Sequence, residues 1–264
     1  MARILKLENR AVIRLAGTDG RELLQGLITN DINILAENMP VYAGLLTPQG
    51  KFMFDMIIVA DGEDILLDVE AERKADLSRR LMMYKLRADV DIIDETLSVW
   101  ALFDGLTETG IAYNDPRSTA LQTRVIAAEN PAPSAEQLPL DEYENLRIRL
   151  CVPDGSRDIA IEKYFWLETG AETLNGVSFT KGCYVGQELT ARMKHRTSVK
   201  KQLRTVEATE GMLMEGDTIM NDAGRAIGEI KTTAAAHAIA YLRLDLVSPL
   251  MKTENAALSL YNSD

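Results

Sequence analysis

Apolar and polar positions alternate from the start of the chain: MARILKLE reads as a strand, and so does the run at 11–15. The rhythm changes after the turn signal Gly17-Thr18-Asp19. Leu23, Leu24 and Leu27 recur at helical spacing, Asp19 and Glu22 stand at capping distance ahead of them, and the stripe runs out near Asn30. Strand signals then dominate: 41–46, a turn at Thr47-Pro48-Gln49-Gly50, 52–60, a turn at Asp61-Gly62, and 65–69. The spacing predicts a helix over 71–87, with Leu77, Leu81 and Tyr84 on one face, and a returning strand at 90–93. Three strands, a helix and a strand make a compact α+β layer.

Residues 97–103 and 123–128 read as further strands, and NPAPSA at 130–135 is the most linker-like stretch. A helix is expected over 141–150. Residues 176–180 alternate like a half-buried strand, and 188–195 read as a helix with its acid at the N-terminal end and its cations at the other. Beyond Arg204 the pattern is all-β, with short strands at 203–207, 216–219, 224–230, 238–242 and 257–260, which suggests a small barrel of roughly 60 residues.

A chain of 264 residues, 46% apolar and 26% charged, implies a soluble protein of two or three small domains. The run at 52–60 has strand length and is broken by Asp55, so no membrane span is expected. The first residues lack a signal peptide's apolar core, which points to a cytoplasmic protein. A net charge of −11 argues against direct nucleic-acid binding. Yet residues 181–204 carry seven Lys or Arg against one acid, Glu188, a local basic surface suited to a small polyanion.

The chemistry concentrates at Lys181-Gly182-Cys183-Tyr184-Val185-Gly186-Gln187-Glu188. In an extended segment Lys181 and Cys183 share a face, and an ammonium beside a thiol favours the thiolate. Gly182 and Gly186 permit unusual backbone angles or close approach. The bland alternative, a packed thiol in a tight turn, stays open on the residues alone. Two cysteines and two histidines provide neither a disulfide framework nor a zinc site, so no stably bound metal is expected. An iron–sulfur cluster needs about four ligands and could only be shared with a partner. Asp55 interrupts an apolar run, and faces either solvent or a cavity with a task.

The run GVSFTKGCYVGQELTAR at 176–192 resembles the signature of the YgfZ family, folate-binding proteins of the glycine-cleavage T-protein superfamily that support iron–sulfur enzymes. LLQGLITNDI at 23–32 is similar to the superfamily's N-terminal region, with its Thr-Asn-Asp turn. The resemblance implies a three-domain T-protein-like ring with a central folate channel: residues 1–38 with 96–197, an inserted α+β domain at 39–95, and a barrel at 198–264. It implies tetrahydrofolate or a one-carbon derivative as ligand, with Asp55, Glu168, Tyr184, Gln187, Glu188 and Arg192 as binding residues. Lys181 and Cys183 would supply the chemistry. Implied partners are iron–sulfur assembly factors or client iron–sulfur enzymes, including tRNA-modifying ones.

The chain departs from the family at several points. Phe54-Asp55 stands where aminotransferring members carry paired acids, Cys151 occupies a customary glycine position, and Gly170 replaces a customary Asn. The alternatives are a true aminomethyltransferase and a non-catalytic interaction scaffold.

Overall fold

The computed structural model describes residues 1–196 and 199–261. The chain opens with β1 (Arg3–Lys6), β2 (Arg10–Ala16) and α1 (Gly20–Gln25). It continues through β3 (Val41–Leu46), β4 (Phe52–Asp61), β5 (Asp64–Glu70), α2 (Lys74–Lys85) and β6 (Asp91–Asp94). Next come β7 (Ser98–Phe103), β8 (Ile111–Asn114), β9 (Thr123–Ala127), β10 (Glu136–Gln137), α3 (Leu140–Arg149), α4 (Gly155–Asp158) and α5 (Gln187–Arg196). Six strands finish it: β11 (Lys201–Gly211), β12 (Thr218–Asn221), β13 (Ala226–Ala234), β14 (His237–Arg243), β15 (Met251–Lys252) and β16 (Ala256–Leu260).

These strands form two five-stranded sheets, ordered β10-β1-β7-β9-β8 and β3-β4-β5-β2-β6, and a closed barrel, β11-β14-β13-β12-β15-β16. The sheets pack face to face: Leu5, Val99 and Ile126 of the first meet Val12, Ile57 and Leu66 of the second in one core. The other face of the second sheet is covered by Leu24 of α1 and Leu77 and Leu81 of α2, against Ile13, Ile58 and Leu67. Burial on both faces explains why 41–69 reads as nearly unbroken apolar runs. Each fully buried Leu or Ile there contributes about 1.5–3 kcal/mol. Val206, Ile219, Ile230, Leu242 and Leu258 fill the barrel.

The expected α+β class and terminal barrel are present. Three local expectations fail for physical reasons. The Asp19 carboxylate accepts from the Asp89 backbone N–H at 2.8 Å and leaves α1 without a side-chain cap. Residues 176–180 form an irregular segment, because the Gly176 carbonyl accepts from Thr29 Oγ1 and Trp166 Nε1 instead of a neighbouring strand. Strand β2, expected with residues 96–197, pairs with β5 and β6 in the second sheet, where Arg10 reaches Asp68 of β5 at 2.6 Å. Residues 197, 198 and 262–264, at the expected edges of the first domain and the barrel, lie outside the described residues.

Candidate functional site

The two segments that carry the family resemblance touch. Lys181 reaches back from the 176–186 loop to the end of α1, where its ammonium donates to the carbonyls of Gln25 at 2.8 Å, Ile28 at 2.7 Å and Asn30 at 2.8 Å. The last carbonyls of a helix have no partners within it, and a buried one left without a donor is costly. Lys181 is therefore a clasp. Burial lowers its ammonium from 10.5 to about 8, against the pull of the Asp31 carboxylate. An ammonium has three N–H bonds, and all three are committed, so none is left for the thiol. The hydrogen bonds that the spacing led one to expect beside Cys183 are made at the end of α1 instead.

Cys183 is exposed on the loop that leads into α5. A Cβ on Gly182 would meet nothing, whereas Gly186 (φ +85°) lies so close to the β3–β4 turn that a Cβ would stand 2.7 Å from the Thr47 carbonyl and 3.0 Å from Gly50 Cα. Only Gly186 is needed to seat α5 on the hairpin. Tyr184 is buried in the main core with its ring 5.1 Å from the Lys181 Nζ, which makes it a packing residue. Gln187 is the half-buried first residue of α5, and Glu188 is exposed beside it. Cys151 is half-buried, its Sγ 3.5 Å from the Leu203 carbonyl, and burial raises its thiol to about 11. Its φ of +53° accounts for the family's glycine at this position, and Gly170, at φ +80°, is left-handed as the customary Asn can also be.

Asp55 is 3% exposed and points between the two sheets, which rules out the solvent-facing alternative. Tyr42 donates to its Oδ2 at 3.1 Å, while Oδ1 is buried without a hydrogen bond. Burial raises this carboxyl, against the pull of Arg10 and Arg117. Sequence reasoning missed the charge network beyond it. Arg124 bridges Asp68 (2.6 Å) and Asp115 (2.8 Å), Arg117 grips Asp115 through two nitrogens, and Tyr113 donates to Asp68 at 3.0 Å. Only the register Val12↔Asp68 and Tyr113↔Arg124, with the sheets stacked, brings these residues together.

Glu168 is buried elsewhere, its Oε2 accepting from the Phe165 N–H and the Tyr241 hydroxyl, both at 2.9 Å. Trp166, two residues before Glu168, packs against Phe52 and against Tyr42, the donor to Asp55. The indole lies 5.7 Å from the Tyr42 ring and 6.0 Å from Phe52, and a Cβ on Gly44 or Gly176 would press on it at 2.9 or 3.1 Å. Toward a tetrahydrofolate, Glu168 Oε2 already accepts from two donors of the chain itself. A donor edge placed against Asp55 Oδ1 alone is the point of agreement.

Glu168 and Arg192 instead share a cavity of about 520 Å³ beside α5. Its cations are Lys51, Lys163, Arg192, Lys200 and Lys201, from four separate stretches of chain. Lys51 donates to the Lys163 carbonyl at 2.7 Å and lies 3.1 Å over the Phe165 ring; burial lowers its ammonium, Glu168 raises it and Lys201 lowers it further. Spacing signalled the basic residues of 192–201. Lys51, Lys163 and Tyr241 carried no such signal.

Among curated proteins, the chain is 32% identical over 231 residues to the iron–sulfur cluster assembly factor IBA57 homolog, mitochondrial, of Neurospora crassa, covering 76% of this chain and 53% of that protein. It is 29% identical over 260 residues to the human iron–sulfur cluster assembly factor IBA57, mitochondrial, covering 86% and 73%. Its homologues are iron–sulfur cluster assembly factors. The chain spans about half the length of the fungal relative. Residues 200–263 match the family described as CAF17, C-terminal beta-barrel domain. The fold is that of the glycine cleavage system aminomethyltransferase T of Bartonella henselae, with a TM-score of 0.80 and 14% identity over 99% of this chain and 85% of that one. The relatives are named as mitochondrial, which overturns the cytoplasmic placement expected from the first residues.

Proposed function

We propose that this chain takes part in iron–sulfur cluster assembly by lending one thiolate, Cys183, to a cluster that passes between proteins. The observation that carries this is the contrast between its cysteines: Cys183 is exposed on a loop held from behind by Lys181 and Gly186, while Cys151 is half-buried with its Sγ against the Leu203 carbonyl. Among the described residues no group of three or more potential metal ligands exists. A cluster needs about four ligands, so the remaining thiolates come from the partner, an assembly factor or a client enzyme. The names of the relatives, iron–sulfur cluster assembly factors, support a role in assembly. The loop geometry suits transfer, because a single exposed ligand binds weakly enough to release its cargo. Clients extend, on this reading, to iron–sulfur enzymes that modify tRNA.

The test is rescue of iron–sulfur enzyme activity in cells that lack the protein. Cys183→Ala fails to rescue and Cys151→Ala succeeds; full rescue by Cys183→Ala overturns the proposal.

A second reading, that tetrahydrofolate or a one-carbon derivative binds the chain, is favoured by the unpartnered Asp55 Oδ1. Asp55 would accept from the pterin's donor edge, and the ligand would supply a one-carbon carrier at that point. At about 100 times its dissociation constant tetrahydrofolate stabilises the native state by about 2.7 kcal/mol, and Asp55→Asn removes the shift. A flat response of the wild-type chain to tetrahydrofolate ends this reading.

A further inference from the structure

The cavity beside α5 has the anatomy of a protein-docking site. Phe165, Leu189, Met193, Val199 and Tyr241 provide its apolar and aromatic lining, and the ammonium and guanidinium groups stand around them. An apolar centre inside a polar rim is how protein interfaces are built. Lys163, Arg192, Lys200 and Lys201 make no salt bridge among the described residues, although the chain carries a net charge of −11. Their charge is thus available to an incoming group, and the acidic remainder of the surface repels an acidic partner from other approaches.

The cavity adjoins the cysteine loop. Gly186, three residues after Cys183, would press a Cβ against Gly50, and Lys51 is the next residue. Leu189 of the lining packs on the same glycine.

We propose that this cavity receives a segment of the partner that shares a cluster with Cys183, a segment in which one apolar side chain is flanked by carboxylates. The inference rests on the cluster-assembly role above and names the partner's recognition chemistry. The apolar side chain occupies the space over Phe165 and Met193, and the flanking carboxylates meet Lys163, Arg192 and Lys200. A compact polyanion would engage the rim and leave the lining uncovered, so the lining favours a peptide.

The test uses the full chain and a fluorescent acetyl-EEFEE-amide peptide, followed by anisotropy. Lys163→Gln/Arg192→Gln/Lys200→Gln weakens binding at least tenfold. Removal of equal charge at Arg79, Arg80 and Arg87 on and beyond α2 changes it less than twofold. Replacing the peptide's Phe by Ser also weakens binding at least tenfold. Absence of binding, equal loss in both triple variants, or competition by citrate as strong as that by unlabelled peptide overturns the proposal. Cys183→Ala binds the peptide normally. Absence of peptide binding by the wild-type chain therefore counts against the docking site alone, and rescue by Cys183→Ala counts against the cluster role alone.

Discussion

Two groups of cationic side chains in this protein meet opposite fates. Arg10, Arg117 and Arg124 lie buried between the sheets, each within hydrogen-bonding distance of Asp68 or Asp115. Lys163, Arg192, Lys200 and Lys201 border an open cavity, and none forms a salt bridge among the described residues. A charge taken out of water must be matched where it lies, so the first group fixes the alignment of the sheets. A charge left in water is matched by whatever arrives, so the second group can recognise a partner at little cost to folding.

The comparison breaks most sharply at Asp115. Asp115→Ala leaves Arg117 and Arg124 short of a buried partner, and an expected loss of about 3–5 kcal/mol is measured by urea unfolding. Lys181→Met follows, with an expected loss of about 2–3 kcal/mol in the same assay, because three carbonyls lose their donor. That result would also separate Lys181 as a clasp from Lys181 as an activator, since an activator's loss would spare stability.

Acid sharpens the contrast within the interior. Burial alone would raise Asp68 and Asp115, but the guanidiniums outweigh it and hold both carboxyls below 3.8. Their contribution is complete above the unfolded value of about 3.9 and is lost as pH falls through the lower folded values. Asp55 has the opposite sign: burial raises it, so the folded state takes up its proton first and gains stability as pH falls toward the unfolded value. Asp55→Asn is expected to raise stability at neutral pH by about 1 kcal/mol and to erase this acid-side gain, read from urea midpoints across pH. The smallest effects belong to the exposed group: Arg192→Gln and Cys183→Ala each change stability by less than about 0.5 kcal/mol, whatever they do to assembly or docking.

The strands at 41–69 were legible because both of their faces are buried, and an apolar run of strand length has few other uses. The barrel was legible from its turn residues. Asp55 was visible as an interruption, yet one acid in an apolar run is compatible with either face of a sheet. Lys181 shows how local reading fails. Its spacing from Cys183 suggested a shared face, but 176–186 is not extended, and the amine is drawn to carbonyls more than 150 residues earlier in the chain. Nothing in the neighbourhood of position 181 encodes those acceptors.

Periodicity and turn chemistry are properties of neighbouring residues, so the linear order of the chain was enough to specify most strands, the main helices and the thiol at the head of α5. Which charges face each other is a property of sheet register and stacking. Arg124 finds Asp68, Trp166 packs on Tyr42, and Lys51 joins Arg192 across distances that local patterning does not span. Long-range electrostatic pairing and steric exclusion exist only once the layers have closed, and the candidate site therefore took its form from the packed molecule.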